Sequence, residues 1–309
     1  MRFVFTKELI KYAKKNKNVF LITSDLGYRT FEKYKKLFPD RFINAGVSEN
    51  NMIGISAGLA MSGKKVFVYS ILPFVVFRSL EQIRNNICHN NLDVKIIGGG
   101  GGFSYNVQGI SHNTSEDISI MRSLPNLSVF NPASKIETEL VMKIILKNKS
   151  PCFLRLGKAP QIDFHKKNIK LNNKKGLVVC KGRDLTVFCT GNILENVNLA
   201  IRKLNKMGKK ITLISLPILK PISEKFVLQN TLSKNVVTIE ENVKTAGLSS
   251  LIASIYIKNQ LKGINFKSIS LDDKVHNLIG TEKYLRKIND LDELSIYKVL
   301  RKHINEKNI

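Results

Sequence analysis

The carboxylate of Glu49 has an unusual setting. It follows a short apolar run, Phe42-Ile43, and Gly46, and it opens ENNMIGISAGLAM, in which Gly54 and Gly58 lie four apart. A helix beginning at Ser48, Glu49 or Asn50 puts this side chain at its N-terminus, facing the end of the preceding strand, where the macrodipole favours an anion. Such a group can be a proton partner or simply a helix-end charge, and position alone admits both. The small residues behind it let a neighbour pack closely. His112, in SHNTSED, is a second candidate, because an imidazole can donate, accept or exchange a proton near neutral pH. Phe74 and Phe77 lie three apart, a spacing that suits a flat ring or an ordinary core. Arg155 and Lys158, in LRLGK, could grip an anion, Arg as a fork and Lys as a point charge. Ser24 and Asp25, in TSDLG, end an apolar run. The cysteines at 88, 152, 180 and 189 have no metal-type spacing and read as buried, reduced thiols.

The elements that position these groups alternate. Helices are expected over 6–14, 30–37, from 48, 49 or 50 onward, and over 74–89, 116–122 and 135–146, with strands over 18–24, 42–45, 65–70, 93–97, 127–130 and 152–156. After a polar, lysine-rich stretch come strands over 185–189, 211–216, 236–240 and 266–271, and helices over 194–207, 224–233, 248–258 and 293–303. The alternation specifies an α/β fold of two domains, each a mainly parallel sheet with helices on both faces. The expected boundaries are 1–160, a linker over 161–175, and 176–309. Gly98–Gly102 follows a strand, but no GxGxxG opens a helix there and no acid sits ~20 residues on within a βαβ unit, which argues against a dinucleotide site. The run is expected to let backbone pass close to a ligand channel.

The blocks RFINAGVSENNMIGISAGLAMSGKKVFVYS, PFVVFRSLEQIRNNI, NLDVKIIGGGGG, QGISHNTSEDISIMRSLPNLSVFNPAS and SPCFLRLGK, in that order, resemble the pyrimidine-binding domain of transketolases, which are thiamine diphosphate enzymes. The remainder resembles the family's C-terminal domain. The resemblance implies the C-terminal subunit of a two-chain transketolase, which transfers a two-carbon ketol unit from a ketose phosphate to an aldose. It implies that Glu49 bonds the cofactor's pyrimidine nitrogen and drives the imino tautomer. Phe74, or Phe77, would hold the pyrimidine, and Asp25 would lie beside the cofactor. Ser24, Gln108 and His112 would face the sugar, and Arg155 and Lys158 its phosphate. Gln108 stands where the family has an Asp that reads a sugar hydroxyl, which points to a specialised sugar. Arg78, Glu81, Gln82 and Arg84 match polar family positions and suit an interface equally. The family's GDG and distant Asn, which hold Mg2+ and the diphosphate, are missing. An N-terminal partner subunit is therefore implied, in an assembly of two copies of each chain, with this chain inactive alone. Deoxyxylulose phosphate synthases and 2-oxoacid dehydrogenase β-subunits share the cofactor, but LEQIRNN with SHNTSED favours a transketolase.

The 309 residues carry a net charge of +26, which raises a rival of another class, a basic scaffold or nucleic-acid binder. The lysines are widely spread, however, and no basic stretch is interleaved with stacking aromatics. An acidic partner subunit, or composition alone, accounts for the charge. No run approaches the ~18 apolar residues of a membrane span. The N-terminal segment lacks a secretory h-region, and a cytoplasmic location is expected.

Overall fold

Twelve strands, here β1 to β12, build two sheets in a computed structural model that describes residues 1–157, 164–165 and 168–305. They are β1 (Val19–Thr23), β2 (Phe42–Asn44), β3 (Lys65–Ile71), β4 (Val94–Gly99), β5 (Ser128–Phe130) and β6 (Cys152–Leu156), followed by β7 (Leu177–Cys180), β8 (Leu185–Cys189), β9 (Ile211–Ser215), β10 (Ile218–Lys220), β11 (Asn235–Val243) and β12 (Asn265–Leu271). The first sheet runs β10-β5-β6-β4-β3-β1-β2 and the second β12-β11-β8-β9-β7. Both are parallel except at one edge, where β10 and β7 run antiparallel to β5 and β9. The central strands read as continuous apolar runs because helices cover both faces, and Ile22, Val66, Val68, Ile96 and Phe153 are fully buried.

Strand order sets the place of the site. From β1 the chain pairs β2 on one side and then returns to pair β3 on the other. The connections diverge there, which makes the carboxyl ends of β1 and β3 the switch point where such sheets usually bind ligands. Ser24 directly follows β1, Ser70 lies near the end of β3, and the helix Glu49–Met61 starts shortly after β2.

The structure departs from the sequence reading in three places. The single helix expected over 74–89 is broken into Leu72–Phe77, Leu80–Gln82 and a wider π-type turn, Ile83–Cys88, because Ser79 leaves helical geometry at φ −120° and ψ 16°. The short strands β7 and β10 and the helix Glu282–Ile288 have too little periodicity to read. Finally, β10 follows the second sheet's β9 in sequence but pairs with the first sheet, so the two halves share strands. Side chains join them as well. Ser119 Oγ donates to the Thr245 carbonyl at 2.6 Å, and Arg122 donates to the carbonyls of Ala246 and Gly247.

Candidate active site

Glu49 is the first residue of its helix and only 3% exposed. Gly46, at φ +73°, makes the turn that drops the helix start onto the sheet end. Oε1 of Glu49 lies 3.1 Å from Ser24 Oγ and 3.3 Å from Ser70 Oγ, and the two hydroxyls are 3.0 Å apart. Each serine has one proton, so the trio either gives Oε1 two donors or forms a relay from Ser24 through Ser70 to Glu49. Oε2 accepts from Arg78 Nη1 at 3.0 Å. The guanidinium carbon of Arg78 also sits 3.9 Å from the centroid of the Phe74 ring, in cation–π contact. Phe74 meets the His112 ring edge-on, centroids 4.9 Å apart, and Ser111 Oγ lies 3.0 Å from His112 Nδ1. Burial, and then the Arg78 charge, hold the His112 imidazole below its ordinary pKa, which favours the neutral ring.

The structure thus brings Glu49, Ser24, Phe74 and His112 together, and adds Ser70 and Arg78. Nothing in the sequence singled out Ser70 beyond a polar residue near the end of a buried strand. Arg78 stood among several polar positions until the helix break aimed it. Phe77 is at the surface, 43% exposed. Asp25, in left-handed backbone at φ +53°, receives its order from Asn44, whose amide donates to Asp25 Oδ1 at 3.0 Å while its carbonyl oxygen accepts from the Asp25 N–H at 2.8 Å. Gln108 is exposed on the loop that carries His112. That loop rests on the second half of the chain, where Asn106 Nδ2 donates to the Leu278 carbonyl at 2.5 Å and Phe103 faces His276.

Two expectations change. Arg155 is 2% exposed, and its guanidinium is taken up by Asp117, Nε to Oδ2 at 2.9 Å, and by the Glu241 carbonyl at 3.1 Å. It has no open face for a phosphate. Lys158 lies outside the described residues. The glycine run gives room to protein side chains rather than to a ligand. A Cβ would collide with the Tyr105 ring if added to Gly100, with the Arg155 guanidinium at Gly101, and with the Glu241 carboxylate at Gly102. Glu241 Oε1 also accepts from the Phe103 N–H at 2.9 Å, and its other oxygen pairs with Arg286. Glu240, beside it, caps the helix Leu248–Lys258 by accepting from Leu248 and Ser249 N–H, and burial pushes its carboxyl up to about 7. Both acids are structural.

The chemistry fits one end of thiamine diphosphate. The buried Glu49 carboxyl could hydrogen-bond a flat aminopyrimidine, and the Phe74 ring, joined to it through Arg78, could stack on that ring. Among the described residues, no cluster of three His, Cys, Asp or Glu side chains that could hold a metal is found. Nor, among them, is any helix long and apolar enough to cross a membrane.

Known proteins resemble the chain along nearly its whole length. Residues 1–160 match the family model of the transketolase pyrimidine-binding domain, and 174–271 that of the transketolase C-terminal domain. A Methanocaldococcus jannaschii protein named as a transketolase C-terminal section is 33% identical over 303 residues, covering 96% of this chain and 94% of its own. A subunit of the apulose-4-phosphate transketolase of Phocaeicola vulgatus is 28% identical, covering 82% of this chain and 83% of its own. A solved structure described as a split gene transketolase, inactive beta4 tetramer, superposes with a TM-score of 0.86 at 27% identity, covering 97% of this chain and 96% of that one. The chain belongs to the transketolase family, as its C-terminal section, with the pyrimidine-binding domain ahead of the C-terminal domain.

Proposed function

We propose that this chain is the half of a two-subunit transketolase that activates thiamine diphosphate and faces the sugar, while an N-terminal subunit holds the diphosphate and Mg2+. The observation that carries the reading is Glu49, buried at the sheet's switch point, with Oε1 fixed by two serines and Phe74 alongside. When bound, the cofactor supplies a nucleophilic carbon and an electron sink for breaking the bond next to a ketose carbonyl. Glu49 would hold a proton at the pyrimidine nitrogen, and its burial would keep water from that exchange. Phe74 supports the ring's face. His112, kept neutral, exchanges a proton with the substrate's hydroxyl oxygens as the two-carbon unit leaves one sugar and joins the next. Ser24 orients Glu49, and Asp25 lines the entrance.

The partner's docking face is supported by the apolar side chains around the His112 loop. Val107, Ile110, Val275, Leu278 and Ile279 are each more than half exposed in the single chain, too much apolar surface to leave in water beside a site. The family resemblance supports an assembly of two copies of each chain. Gln108, in place of an acid, and the similarity to an apulose-4-phosphate transketolase subunit favour a specialised sugar phosphate. The test is two-carbon transfer by the purified pair. Glu49→Gln is expected to cut transfer by about 10²–10⁴-fold, the usual worth of a lost proton-transfer group. Unchanged transfer would refute the role.

A further inference from the structure

We propose that Arg78 is a displaceable guard of the cofactor seat, pairing Glu49 and covering Phe74 until the pyrimidine ring takes both places. The inference rests on the thiamine reading above. Its basis is that one side chain occupies both surfaces a flat, hydrogen-bonding ring would need. Oε1 of Glu49 is committed to Ser24 and Ser70, which leaves Oε2 for an incoming donor, and Oε2 holds Arg78 Nη1 at 3.0 Å. The same planar guanidinium lies 3.9 Å from the Phe74 centroid, the spacing at which aromatic planes stack.

The two partners of this ion pair are unequally placed. Arg78 is 49% exposed at its side chain and Glu49 only 2%. Releasing Arg78 returns a cation to water at small cost, whereas leaving Glu49 buried without a partner is expensive. The arginine therefore suits the empty subunit and the ring suits the loaded one, and exchange keeps the carboxylate satisfied throughout. The helix break at Ser79 puts Arg78 at the last turn of Leu72–Phe77, where its side chain reaches back over Phe74. Arg78 acts through Glu49, so it is a positioning residue rather than a catalytic one.

Arg78→Met keeps an apolar stem without the fork or charge, and Arg78→Lys keeps the charge without the flat face. In the isolated chain, Arg78→Met and Glu49→Gln should each lower Tm, and the double variant should melt no lower than the worse single. In the assembled pair, calorimetric titration with thiamine diphosphate and Mg2+ should show Arg78→Met tightening binding about three- to tenfold, since the ligand no longer displaces an ion pair. Arg78→Lys should fall between Met and the unaltered protein. Additive melting in the isolated chain, or Arg78→Met binding that is unchanged or weaker, overturns the guard role while leaving the thiamine reading intact. An unaltered pair that takes up no cofactor overturns the thiamine reading, and the guard role with it.

Discussion

A carboxylate that has lost nearly all its water needs donors in its place, and at Glu49 these come from Ser24, Ser70 and Arg78. The same arginine touches a third group, because its charge helps to hold the His112 imidazole below its ordinary pKa. The sign is definite. Burial and a nearby cation both disfavour a second positive charge, so His112 stays neutral to lower pH than a free histidine. Removing the charge in Arg78→Met should raise the His112 pKa, though not to the free value, because burial persists. An NMR titration of the His112 ring would register this as an upward shift of the midpoint. A midpoint that stayed or fell would mean that Arg78 and His112 do not sense each other. Glu49 and His112 were legible in the sequence because each sits in a recognisable block. Arg78 was not, since its role depends on a helix break that no Pro or Gly announces.

Among the elements, the ends of β1, β2 and β3 make the site, and β4, β6 and the glycine run brace it. Arg155 on β6 shows why. Its partner Asp117 lies 38 residues away at the start of another helix, fully buried, with Thr114 Oγ1 donating to it at 2.5 Å. Burial raises the Asp117 pKa, and Arg155 opposes that rise by favouring the ionised form. Arg155→Met would strand this acid and should destabilise the fold by ~3–5 kcal/mol, the usual cost of breaking a buried ion pair. Thermal or urea unfolding would show the loss. Unaltered stability with a raised KM for the sugar phosphate would restore the phosphate-binding role. The central strands could be read as continuous apolar runs, since both their faces are buried, and the amphipathic helices from burial that repeats every 3.6 residues. The burial of Arg155 could not, since a charged residue in a central strand carries no local sign of a distant counter-ion. The edge strands β7 and β10, three or four residues long, show no repeat at all.

For the whole molecule, the fold gathers Glu49, Ser24, Ser70, Phe74 and His112 at one end of the first sheet, and under the proposed function the diphosphate end belongs to an N-terminal subunit. In the proposed enzyme the apolar loops beside His112 are the surface an N-terminal subunit covers, and the net charge of +26 reflects an acidic partner or composition alone. The most direct test is a titration of thiamine diphosphate with Mg2+ into this chain alone and into its complex with an N-terminal transketolase subunit. The account predicts saturable binding by the complex, abolished or strongly weakened by Glu49→Ala, and none by the chain alone. Tight binding by the single chain, or binding by the complex that is indifferent to Glu49, would contradict it.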